Sequence, residues 1–200
     1  MTFQELFERC RLHLGDVLEG DILLLFNRHA LDFVMRTRYG ITSVDQDDDI
    51  TGYKVIKLNQ VVITNDGEDY DAGILHKYEK TNLTGLYGME ENFFFVSVSN
   101  QTAYLWVSDS SAKLAEGTWS DYEYTAYGVF WKDIDISTGS LDIAIDDVIA
   151  NAVLLKIYSE VLSRNPKMFP LAEKYDEKYR YEIMVTKQKY YSNATTARIN

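Results

Sequence analysis

Apolar positions change their spacing twice along this chain. In residues 1–40 they recur every three or four positions: Phe3, Phe7, Cys10 and Leu14 form one stripe, and Ile22, Leu25, Phe26, His29, Phe33 and Val34 form a broader one. That period predicts two amphipathic helices. Thr2 followed three residues on by Glu5 is a capping box for the first helix, and Gly15 stops it. Asp21 is placed to cap the second, which "RYG" closes at Gly40.

From Ile41 to Trp131 the helical period is gone. "YKVIKLNQVVIT", "NFFFVSVS", "AYLWV" and "EYTAYGVFW" are rich in aromatic and β-branched residues and read as strands. "NDGEDYDAG", "NLTGLYGMEEN" and "SDSSAKLAEGTWSD" hold Gly, Asn, Asp and Ser and read as turns and loops.

After "STGS" the helical period returns. Within residues 143–164, Ile145, Val148, Ile149, Ala152, Leu155 and Leu162 make one stripe, while Val153, Leu154, Ile157 and Val161 make a second. A helix apolar on most of its circumference must be covered on most of it. One stripe is assigned to the subunit core, and Leu154, Ile157 and Val161 to a neighbouring subunit. Asn165 and Pro166 end this helix, and Pro170 starts a long charged one with Leu171, Tyr175, Tyr179 and Ile183 along one face. The final "SNATTARIN" is polar and reads as loose until a partner holds it, which makes Asn193, Thr195, Thr196, Arg198 and Ile199 candidate docking residues.

The order of elements predicts an α+β fold. A helical bundle is formed by the N- and C-terminal helices, with an antiparallel β-sandwich or barrel-like module inserted. The expected division is a helical hairpin at 1–40, a β-rich insertion at 41–136, a helical pair at 137–192 packing on 1–40, and a flexible tail at 193–200.

Composition adds little to this, but charge adds more. The chain has 200 residues, 46% of them hydrophobic, enough for a sizeable core. Its net charge is −11. Residues 41–73 hold eight acids against two bases and residues 74–163 thirteen against five, whereas residues 164–200 hold eight bases against four acids. Such a balance argues against gripping nucleic acid by phosphate neutralisation, though not against a surface that nucleic acid slides past. No stretch approaches the roughly 18 apolar residues of a membrane span, and "MTFQELFERC" has acids where a signal peptide has bases, so assembly in the cytoplasm is expected.

Candidate chemistry is sparse. Asp45, Asp47 and Asp49 match the first three ligand positions of an EF-hand loop, but Ile50 stands where the glycine is required and Ile56 where the bidentate glutamate is required. With Asp48, these acids read as a solvated loop, with an adventitious cation as the alternative. His13, His29 and His76 lie in different elements without zinc-ligand spacing. Cys10, the single cysteine, and His29 fall on apolar helix faces and read as packing residues. Phosphate loops and nucleophile elbows are missing from the sequence. Trp106, Trp119 and Trp131 fit a core or interface better than a carbohydrate platform. No cofactor, metal or catalytic residue is assigned, and a non-enzymatic role is expected.

The succession of an N-terminal helix, a helix reading "LLLFNRHALDFVMRTR", a strand module ending in "YEYTAYG", a helix reading "IDDVIANAVLLKIYSEVLSRNP" and a last helix reading "AEKYDEKYRYEIMVTKQKYYSNATTARIN" resembles the head-to-tail adaptor proteins of short-tailed bacteriophages. The resemblance spans nearly the whole chain. It implies a virion structural protein in a ring of about twelve copies, bound to the portal protein on one side and to a tail tube or nozzle protein on the other, with DNA passing through without specific binding. The large acidic β module departs from the pattern. Two other readings stay open: an aromatic-rich carbohydrate-binding or adhesin module, and a hydrolase using paired carboxylates.

Overall fold

The computed structural model describes residues 1–75, 93–108, 114–137 and 139–196. The chain is α+β and divides into two compact units, one built from Met1–Tyr39 with Asp133–Asn200 and the other from Gly40–Lys132. Both ends of the chain therefore contribute to the first unit, and the second is inserted between them. The stretch "NLTGLYGMEEN" and His76 lie outside the described residues.

The helical unit holds α1 (Phe3–Leu14), α2 (Glu19–Thr37), α3 (Asp147–Leu162) and α4 (Phe169–Thr196). The capping box of α1 forms: the Thr2 hydroxyl accepts from the Glu5 N–H at 3.2 Å, and the Glu5 carboxylate accepts from the Thr2 N–H at 3.0 Å. Its buried stripe is Phe3, Leu6 and Cys10, one position off the expected Phe7. In α2 every expected face residue is buried. The ends differ, since Leu18 rather than Asp21 is the N-cap and Arg38 rather than Gly40 takes the left-handed position at φ 59°. Asp21 and Glu19 instead occupy the first turn, where carboxylates complement the helix dipole.

The third helix starts later than expected. Leu141, Ile143 and Ile145 alternate with Asp142, Ala144 and Asp146, and this period of two prevails. The segment is extended and pairs with the start of the chain, Phe3 N–H donating to Ile143 at 2.9 Å and Ile145 N–H to Met1 at 2.8 Å. Asp146 then caps α3, accepting from the N–H groups of Val148 and Ile149. Ile149, Ala152, Val153, Leu154 and Ile157 are all buried against the other helices of the unit. The core face of α4 is Ala172, Tyr179 and Thr186, which leaves Leu171 exposed, contrary to expectation.

The inserted unit has two four-stranded sheets, ordered β1-β8-β2-β3 and β4-β5-β6-β7. The strands are β1 (Ile41–Asp45), β2 (Lys54–Asn65), β3 (Glu68–Asp71), β4 (Gly73–Leu75), β5 (Phe94–Ser99), β6 (Thr102–Ser108), β7 (Leu114–Gly117) and β8 (Glu123–Trp131). One core joins residues of both sheets, among them Val61, Ile63, Phe94, Val96, Leu105 and Phe130. That is a sandwich, with one departure: β4 and β5 pair in parallel. Strand β7 falls in a stretch read as loop, because its own residues are poor strand formers and pairing with β6 supplies the order. Asp66 and Gly67 at φ 52° and 82° turn β2 into β3, as left-handed pairs do in tight hairpins.

The long β2–β8 ladder slips register between Val55 and Lys57 and again between Leu58 and Gln60. Gly128 sits at this irregularity. A Cβ there would collide with the Lys57 carbonyl and press on the Phe130 ring. Because the obstacle is backbone, Gly128→Ala is expected to destabilise the β unit by about 1–3 kcal/mol or more, read as a lower thermal midpoint by circular dichroism.

Candidate interaction surfaces

Polar side chains cross between helices that are otherwise apolar where they meet. His29 on α2, 7% exposed, bonds through Nε2 to the Glu160 carboxylate on α3 at 2.9 Å, and Arg28 pairs with the same carboxylate. Lys156 on α3 donates to Asp176 on α4 at 2.6 Å. Tyr179 on α4 donates to Asp32 on α2 at 3.1 Å. Each of three helix pairs thus holds one polar link. Burial pushes the His29 pKa down, Glu160 opposing and Arg28 and Lys156 adding to the shift. The Lys156 hydrogen bond holds the Asp176 carboxyl below its usual range in spite of burial.

Beside this layer, α1 and α4 flank α3. Near the C-terminal end of α3 they close over it: His13 stacks on Tyr158 with ring centroids 4.5 Å apart and hydrogen-bonds the Tyr175 hydroxyl. Burial pushes the Tyr158 phenol up to about 12. Towards the N-terminal end of α3 the flanking helices leave a groove of about 520 Å³, floored by Val148, Leu154 and Leu155 and edged by Arg9, Asp147 and Glu182. Val148 is 40% exposed there.

On the β unit, Asp45 ends β1, and Asp47 and Asp48 lie in a short 3-10 turn. Asp49 is left-handed at φ 51°, and its carboxylate accepts from the Thr51 hydroxyl and N–H, which hold its pKa down. Ile50, where an EF-hand needs glycine, is fully buried, and its N–H donates to the Tyr124 hydroxyl at 2.7 Å. Among the described residues no group of three or more His, Cys, Asp or Glu is arranged to hold a metal ion. Asp45 and Asp47 do meet Asp69 and Glu123 around one concavity on the sheet's outer face.

Several sequence assignments change. Leu154 and Ile157 are 5% and 0% exposed within the single chain, and Val161 is half-buried, so the stripe assigned to a neighbour belongs mainly to the subunit's own core. The stripe assigned to the core instead holds the open positions, Val148 and Leu155. Asn193, Thr195 and Thr196 continue α4 rather than forming a loose tail, while Arg198 and Ile199 lie outside the described residues. Trp119 and Trp131 are buried and Trp106 half-buried, which removes them as an exposed platform. Cys10 is buried, its thiol pushed up to about 12 by desolvation. Sequence reasoning missed the α3 groove and the concave sheet face, because each is assembled from residues far apart in the chain.

No family model matches the chain, and no curated protein matches it in sequence.

Two measurements check these assignments. Leu154→Ala should cost about 2–5 kcal/mol in urea unfolding, as for a fully buried leucine, whereas Leu155→Ala at its half-buried site should cost about 1 kcal/mol. A group whose pKa is depressed by folding stabilises above its unfolded value and loses that contribution as the pH falls. Thermal stability should therefore drop as the pH falls below the ordinary histidine value of 6.5. His29→Leu should flatten the profile in that window, leaving the acid loss due to Glu160 and Asp176 at lower pH.

Proposed function

We propose that this chain is a virion structural protein, the subunit of a head-to-tail adaptor ring. In this reading about twelve copies join a portal protein to a tail tube or nozzle protein and surround the DNA path, at the neck of a particle assembled in the host cytoplasm. The observation that carries the reading is the topology: helices from both ends of the chain make one unit, and a two-sheet unit is inserted between them. This is the arrangement implied by the adaptor resemblance. The role is mechanical, and the residues that matter are contact residues such as Val148 and Leu155 in the open α3 groove, where a helix of another protein can pack.

Charge supports the conduit part of the proposal. The inserted unit, residues 40–132, holds fifteen Asp and Glu against six Lys, so it accounts for −9 of the chain's −11. Like charge keeps passing DNA from adhering, and its reach is a Debye length, about 8 Å at physiological salt. Of Asp45, Asp47, Asp48 and Asp49, the last two lie outside the sheet concavity and are the candidate rim.

Electron microscopy of the negatively stained chain, alone and mixed with its cognate portal ring, tests the proposal. Ring particles with an open centre, or a new layer on the portal, are expected. A chain that leaves the portal bare and binds sugars as a monomer would be an adhesin module instead, and one that cleaves glycans would be a hydrolase.

A further inference from the structure

The outer face of the sheet β1-β8-β2-β3 is a trough. Its floor is uncharged, made by Val62, Thr64, Thr125 and Tyr127, whose ring is 44% exposed. Its walls are acidic, Asp45 and Asp47 on the β1 side and Asp69 on β3, while Glu123 on the central strand β8, paired with Thr64, closes one end of the floor. Among the described residues none of these four carboxylates forms an ion pair with Lys or Arg, while Asp69 accepts from the Thr64 hydroxyl at 2.6 Å. Strands β1 and β3 are separated by β8 and β2, three strand spacings or about 14 Å. A helix with its side chains is about 10–12 Å across, so the trough admits one helix and not two.

Helix α4 carries a ridge of matching form. Tyr181, Met184 and Gln188 are exposed at spacings of three and four residues and so project together, away from the buried face of Ala172, Tyr179 and Thr186. Successive residues turn by about 100°, which sets Arg180 and Lys187 along one flank of this ridge and Lys178 and Lys189 along the other. All four are exposed, with Arg180 paired to Asp176 at 2.7 Å and Lys178 over the Tyr175 ring. The same turn places Glu182 beside Lys178 and Lys189, where it edges the α3 groove, and exposed Glu177 one turn before Tyr181 at the end of the ridge. A ridge of Tyr181, Met184 and Gln188 between flanks with a basic surplus is the complement of a Val62, Thr64, Thr125 and Tyr127 floor between two acidic walls.

We propose that α4 of one copy lies in the sheet trough of a second copy, Tyr181 and Met184 against Tyr127 and Val62, with its basic flanks against Asp45, Asp47 and Asp69. Two different surfaces of the same chain meet, so the contact is heterologous, and it closes into a ring when the rotation per copy divides the circle. Covering the ridge supplies the affinity. The charges set register and speed encounter, since exposed pairs are individually worth little. The inference deepens the ring reading above and rests on its self-association.

Reciprocal charge reversal tests it. One variant carries Asp45→Lys, Asp69→Lys and Glu123→Lys, and the other Lys187→Glu and Lys189→Glu. Both should keep the parent's circular dichroism and melting profile. In sedimentation velocity at low salt the parent should associate and each variant alone should be monomeric. An equimolar mixture should associate again, because each reversed trough then meets an oppositely charged helix. If both variants associate as the parent does, another surface is used; the docking is overturned and the ring reading stands. If the mixture stays monomeric while a single chain bearing all the substitutions recovers the parent's behaviour, the contact is within one chain and the proposal is overturned. A monomeric parent also overturns it, and the portal mixture then decides the ring reading separately.

Discussion

Everything in the helical unit depends on the burial of α3. Its apolar residues run almost around the helix, and Ile149, Val153 and Ile157 are at most 3% exposed. No single neighbour covers that much circumference. The chain meets the requirement with α1 and α2 from before the β unit and α4 from after it, so neither terminal segment has a complete core without the other. An inserted two-sheet unit follows from this division: the chain leaves after α2, builds a second core, and returns in time to supply α3.

Apolar burial alone would leave the helices free to slide, since it is not directional. The cross-links add direction. His29 with Glu160, Lys156 with Asp176, and Tyr179 with Asp32 each join a different pair of helices. The Asn27 amide adds a fourth, donating to the Ile134 carbonyl and accepting from its N–H, both at 2.9 Å. A buried polar group costs free energy when it loses its partner, so a shifted helix would strand several of these at once.

The fold class was legible because it rests on period and order. The face of α2 and the strand segments of β2, β5, β6 and β8 come directly from the spacing of apolar residues. The assignment of stripes on α3 was not legible. Leu154 and Leu155 are chemically the same and both border the groove; that Leu154 is buried and Leu155 half-buried depends on how α1 and α4 flank α3, which spacing does not reveal. Residues 141–145 show how two patterns compete: the alternation in "LDIAID" wins over the helix that follows because the start of the chain offers a pairing edge. The concave sheet face was invisible for a further reason. Asp45, Asp69 and Glu123 approach each other only because the strand order is β1-β8-β2-β3.

The shared helical core also governs the order of events during synthesis. Phe3, Leu6, Phe26 and Phe33, all fully buried in the finished unit, leave the ribosome well before α3 exists. At roughly 5–20 residues per second, the residues between the end of α2 and the start of α3 take on the order of 10 s to make. The inserted unit has its own core and can form within that interval. The first two helices meanwhile present their apolar faces to the cell without their main partner. For a nascent chain this is the aggregation-prone period, and it ends only when α3 and α4 arrive to be clasped.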